Sequence, residues 1–248
     1  MTGDDDLGKA VGALTAGGGD AGSLRRTVGL VRSSMRAAGA RSVATGRWLT
    51  DVVLDVAPHL PARDLATLRA HHGGQSGQEL AEELIRNAAR TTATLGAVAG
   101  AVAGAEELAP PTWLALPAEL VAETLAVVAV EMKLVAELQA AFGRPVTGSP
   151  AERGLAVAQA WAERRGVSTR DLVAAGGLAQ ALGRSSRREV ARLLQRRLAR
   201  RALRNLPTLA PFLVGAVAGA EVNRRATRSL GEAVVRDLTG GGRQVGSV

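Results

Sequence analysis

The chain has 248 residues, 46% of them apolar, which excludes a disordered protein and suffices for a buried core in one large helical domain or two small ones. Aromatics make up only 2%, Tyr is absent, and β-branched residues stand singly among Ala, Leu and Arg, so a β-sandwich or barrel is disfavoured and an all-α multi-helix bundle expected. Zero Cys removes disulfides, thiolate metal sites and cysteine nucleophiles, and the net charge of +8 sits in one stretch: residues 184–204 carry nine Arg against Glu189 alone.

In chain order, residues 1–22 hold seven Gly and an Asp run and are expected to form a flexible tail. The start MTGDDDLGKA has neither the basic lead nor the apolar stretch of a secretory signal, which points to a cytoplasmic address. Residues 23–240 are expected to form a single helical domain. Trp48, Leu49, Val52, Val53 and Val56 recur at spacings of three and four, and Pro58 follows, predicting an amphipathic helix over 42–57. HHGGQSGQ reads as a loop, and 79–107 as one long helix broken by LAPPTWLALP. Pro117 suits the first turn of a helix lasting to Phe142, with Gly143 as its stop and GRPVTGSP as a linker. Helices are predicted over 151–165, 168–182 and 185–205, then from Pro211 to Thr239. Residues 241–248 are expected to form a second flexible tail.

The heptapeptide GAVAGAE occurs at 100–106 and again at 215–221. Gly96, Gly100 and Gly104 stand four apart, as do Gly215 and Gly219, so each helix carries a flat strip on one face. Glycine costs about 1 kcal/mol per helix-interior position relative to Ala, so these strips imply a compensating close contact, and the two helices are expected to pack antiparallel. The uncharged runs 91–105 and 205–220 are shorter than the roughly 20 residues that a bilayer span needs. Antiparallel packing would bring Trp113 and Leu114 to the same end as Phe212 and Leu213, as an apolar tip suited to a lipid interface, to another chain or to the protein's own core. Arg184, Arg188, Arg192, Arg196, Arg200 and Arg204 recur every fourth residue and form a candidate anion-binding row. These cations could pair with Glu119, Glu123, Glu131 and Glu137, lie on anionic lipid, or neutralise nucleic-acid phosphates, although no aromatic stands among them to stack on bases.

No nucleophile turn or phosphate loop is present, and His71 and His72 lack a third ligand at metal spacing, so no catalytic residue, metal or cofactor is assigned. Taken with their order, the segments 96–143 and 200–235 resemble the EcsC protein family. There a glycine-rich apolar segment is followed by a proline-led helix ending in an aromatic–Gly pair, matched here by Phe142 and Gly143; later come a Pro, a second glycine-rich segment and an Asn, matched by Pro207, Gly215, Gly219 and Asn223. Members often carry Tyr and an acidic residue where this chain has Phe142 and Arg144. The resemblance implies a helical, membrane-associated bacterial protein and transfers no catalytic residues. The expected function is therefore non-enzymatic association with anionic membrane lipid or a membrane protein through the tip and the Arg-rich helix. The alternatives are a non-specific nucleic-acid or anionic-polymer binder and a soluble homo-oligomeric scaffold.

Overall fold

The computed structural model describes residues 2–17, 21–39, 47–105, 118–164 and 212–240. Among these the protein is all-α: α1 (Thr2–Gly17), α2 (Ala21–Ala38), α3 (Arg47–Val56), a 3-10 turn (Ala57–His59), α4 (Leu65–His71), α5 (Gly77–Ala105), α6 (Ala118–Ala141), α7 (Pro150–Arg164) and α8 (Phe212–Gly240), with no strand. The predicted helices at 168–182 and 185–205 and the tail at 241–248 lie outside the described residues.

Helix α6 is the axis, and each of the other seven helices packs against it. Its composition explains why: every residue from 121 to 130 is buried, and a helix apolar on all sides is stable only when surrounded. Its end follows from Gly143, whose φ of +70° is open to glycine at little cost. The Arg144 N–H donates to the Gln139 carbonyl at 2.8 Å and the Gly143 N–H to the Ala140 carbonyl at 3.0 Å, the paired bonds of a Schellman cap. The next helix starts from a capping box. Ser149 and Glu152 exchange bonds, the Ser149 N–H donating to Glu152 Oε2 at 2.8 Å and the Glu152 N–H to Ser149 Oγ at 3.3 Å, with Pro150 in the first turn.

One expectation fails at the amino terminus. Over Thr2–Gly17 the supposed tail is helix α1, whose Leu7, Val11 and Leu14 are buried in the same core as α6. Glycine content suggested mobility, yet two of those glycines serve packing. A Cβ on Gly8 would stand 2.8 Å from the ring of His59, and one on Gly12 would stand 2.9 Å from the His59 carbonyl oxygen. The bare face of α1 thus admits the 3-10 turn, and Asp5 Oδ1 meets His59 Nε2 at 3.1 Å. On the other side of the turn, a Cβ on Gly154 of α7 would strike the backbone of Ala57 and Pro58. Trp48 of α3 is tied to α2 by its indole N–H, which donates to Ser34 Oγ at 2.8 Å.

Among the described residues, helices α5 and α8 form the most extensive pair. Their direction is fixed by contacts that run oppositely along the two chains: Thr227 meets Thr92 and Gly231 meets Ile85. The pair is antiparallel. A Cβ on Gly231 would lie 2.5 Å from Ile85 Cγ1, so this glycine sets how closely the backbones approach.

Candidate functional site

The most distinctive chemistry among the described residues is a set of polar side chains buried where α5, α6, α7 and α8 meet. Glu123 and Glu131 stand eight residues apart on α6, a net rotation of about 80°, so both reach toward α8. Asn223 of α8 spends both amide protons there: Nδ2 donates to Glu123 Oε1 at 2.9 Å and to the Thr92 carbonyl at 3.2 Å. One turn on, Thr227 Oγ1 donates to Glu131 Oε1 at 3.2 Å and accepts from Thr92 Oγ1 at 3.0 Å. The second oxygen of Glu131 accepts from the indole N–H of Trp161 on α7 at 2.9 Å. Thr92, Glu131 and Thr227 are each 0% exposed, so hydrogen bonds such as these compensate their desolvation. The pairing of Glu123 with Asn223 and of Glu131 with Thr227 also shows that α8 runs parallel to α6 and antiparallel to α5.

A second cluster lies lower on α6. Glu137 receives Arg63 as a fork, Nε on Oε1 at 2.8 Å and Nη2 on Oε2 at 3.0 Å, and Lys133 Nζ stands 2.9 Å from Oε1. Burial pushes the Glu137 carboxyl upward, but the Arg63 hydrogen bonds and the Lys133 charge outweigh it and hold the group below 4.5. Arg63 is correspondingly raised by its bonds to Glu137. Glu137 thus pairs with the loop residue Arg63 and its own helix neighbour Lys133, while the 184–204 arginines lie outside the described residues. Glu221, which closes the second copy of the repeat, is hydrogen-bonded by Arg224 and Arg225 and held down at about 2.

The structure disposes of the sequence candidates unevenly. Gly96, Gly100 and Gly104 lie in α5, and Gly215, Gly219, Phe212 and Leu213 in α8; of these Gly96 is buried. Trp113, Leu114 and the row Arg184, Arg188, Arg192, Arg196, Arg200 and Arg204 fall outside the described residues. Gly231 and the pair Thr92 and Thr227 were not foreseen, yet the signal was present. Gly215, Gly219, Asn223, Thr227 and Gly231 follow one another at steps of four, as do Ala88, Thr92, Gly96, Gly100 and Gly104. Rows at this spacing are the ridges by which two helices interdigitate. Comparison with known protein families, with curated proteins and with solved structures finds no match for the chain. Among the described residues, no helix is long and apolar enough to cross a membrane, and no group of three or more His, Asp or Glu could hold a metal ion.

Proposed function

We propose that this is a non-enzymatic, peripheral membrane protein of the EcsC type, which meets anionic lipid from the cytoplasmic side with one apolar pole of its helical bundle. The observation that carries this reading is the segregation of charge along the α5–α8 pair. The uncharged residues 91–105 close α5, the uncharged residues 212–220 open α8, and the two helices are antiparallel, so both belong to one end. The opposite halves carry Glu79, Glu82, Glu83 and Arg86 on α5 and Arg228, Glu232, Arg236 and Asp237 on α8. Continuing the register of Thr92 on Thr227 in steps of four sets Gly100 opposite Gly219 and Gly104 opposite Gly215. Because α6 runs parallel to α8, it starts from that same end.

Length favours dipping over crossing. Fifteen helical residues span about 22 Å against a hydrocarbon core of about 30 Å. The nine arginines of 184–204 would add roughly 1 kcal/mol each near an anionic surface, a contribution that salt screens. Val222, exposed just past the uncharged run of α8 and followed by Arg224 and Arg225, has the same mixture of apolar and basic character. The order of features shared with the EcsC family supports this reading as well.

Flotation with phosphatidylglycerol-containing liposomes tests it. The expected result is binding that weakens but persists at high salt, because apolar insertion is unscreened, and that drops sharply in Trp113→Ala with Phe212→Ala. Flotation unchanged by those substitutions, or retention on DNA with no affinity for vesicles, refutes it.

A further inference from the structure

Beside the Glu137 cluster the bundle is open. A cleft of about 200 Å³ is bounded by α5, α6, the residues flanking α4 and Thr15 near the end of α1. Its walls are of two kinds. Leu84 and Ala88 of α5 and Val130 and Leu134 of α6 make an apolar floor, while Arg63, Lys133, Glu137, His72, Asn87 and Thr91 supply polar groups.

Three observations define what fits there. First, the charges do not cancel: two cations, Arg63 and Lys133, share the single carboxylate of Glu137 and leave a surplus of one positive charge. Second, the donors on the polar wall are unequally used. Arg63 spends its fork on Glu137, whereas the Lys133 ammonium, only 14% exposed, makes one contact to that carboxylate and has three N–H groups to place. Third, Nε2 of His72 is buried with no hydrogen-bond partner among the described residues, an arrangement that native proteins rarely leave unless something else satisfies the atom. A group that accepts hydrogen bonds from Lys133 and His72 and carries one negative charge answers all three.

The remaining dimensions narrow the class. An apolar cavity near 150 Å³ holds a benzene ring, so a cleft of about 200 Å³ takes a single ring or a short branched chain together with a small head group. A dianionic phosphate would exceed the local surplus with Glu137 at its side. We propose that this cleft binds a small monocarboxylate with an apolar body, its carboxylate received by Lys133 and His72 and its body laid against Leu84, Ala88, Val130 and Leu134. Such a site is independent of the membrane pole and involves none of its residues.

The test uses the full chain and follows the His72 ring resonances by NMR, assigned with His72→Gln, during titration with benzoate, acetate or inorganic phosphate at physiological salt. A saturable shift of His72 with benzoate is expected, with acetate weaker by roughly tenfold or more because it lacks the apolar body, and with no saturable shift from phosphate. Lys133→Met should weaken benzoate by at least about tenfold, as loss of one charged hydrogen bond implies. Ala88→Leu fills the floor while leaving Lys133 and His72 in place and should abolish binding. It carries the test alone if Lys133→Met fails to fold. A His72 ring that does not respond to benzoate, that responds equally in Ala88→Leu, or that responds to phosphate as strongly as to benzoate overturns the proposal.

Discussion

Replacing Gly231 with Ala puts the closeness of α5 and α8 to a direct test. The added Cβ would stand 2.5 Å from Ile85 Cγ1 and 3.0 Å from Cδ1. Carbon atoms rest at about 3.5–4.0 Å, so one wall must yield by about an ångström. Cγ1 is the inner atom of a branched, buried side chain and does not swing away freely. Overpacking of this kind costs about 1–3 kcal/mol, and the helix-propensity gain from Gly to Ala returns about 1 kcal/mol, so a net loss of about 0–2 kcal/mol is expected in place of the propensity gain. Ile85→Ala alone should cost about 2–5 kcal/mol as a core truncation, while the double variant should lose less than the sum because the new methyl group enters the space vacated. Urea denaturation of the four proteins measures that coupling. If Gly231→Ala raises stability by the propensity gain alone, with Ile85 intact, the two helices are not in close contact at this level and the register built on Thr92 and Thr227 fails with it.

Two further outcomes follow from the polar clusters. Thr227→Val keeps the shape of a side chain that is 0% exposed but removes the hydroxyl between Thr92 and Glu131, so it should cost about 1–3 kcal/mol in thermal or urea melts, with most of that recovered in Thr227→Ser. Glu137 is held below its ordinary 4.5, so its contribution is complete above that pH and is lost as the pH falls through the lower, folded-state value. Urea melts of wild type and Glu137→Gln should therefore differ most near neutrality and converge in acid. The gap should be smaller than the roughly 3–5 kcal/mol of a fully buried broken pair, because the Arg63 side chain retains 29% exposure.

Much of the architecture was legible because it rests on strong local signals. The predicted helices at 79–107, 117–142 and 151–165 correspond to Gly77–Ala105, Ala118–Ala141 and Pro150–Arg164, bounded by the glycine, proline and Ser-x-x-Glu punctuation that the backbone obeys. The failure at residues 1–22 has a physical cause. A short stripe of Leu7, Val11 and Leu14 is a weak periodic signal beside seven glycines, and the use of Gly8 and Gly12 becomes visible only once a distant turn with His59 is laid on them. The polar sites were hidden for a related reason. Arg63 and Glu137 are seventy-four residues apart and Thr92 and Thr227 one hundred and thirty-five, and no spacing rule connects side chains brought together by tertiary packing.

The buried bonds bear on the proposed apolar pole through the register of α5 and α8. Interfaces built from Ala and Gly are smooth, and a slip of one turn between α5 and α8 would still match small residues to small residues. Polar groups do not tolerate such a slip. Moving α8 by one turn would take Thr227 from Glu131 and Thr92, and Asn223 from Glu123, breaking hydrogen bonds to carboxylates and an amide that are buried. Each such loss costs about 1–3 kcal/mol, so the set together exceeds the small differences in packing between alternative registers. The same bonds hold the starts of α6 and α8 level with the end of α5. Fixing those three ends is what would keep the uncharged stretches together as one surface, so a helix pair that slides should lose vesicle binding even with every apolar side chain of the pole intact. Thr227→Val assayed by liposome flotation under conditions where it remains folded separates this geometric dependence from a simple dependence on hydrophobic content.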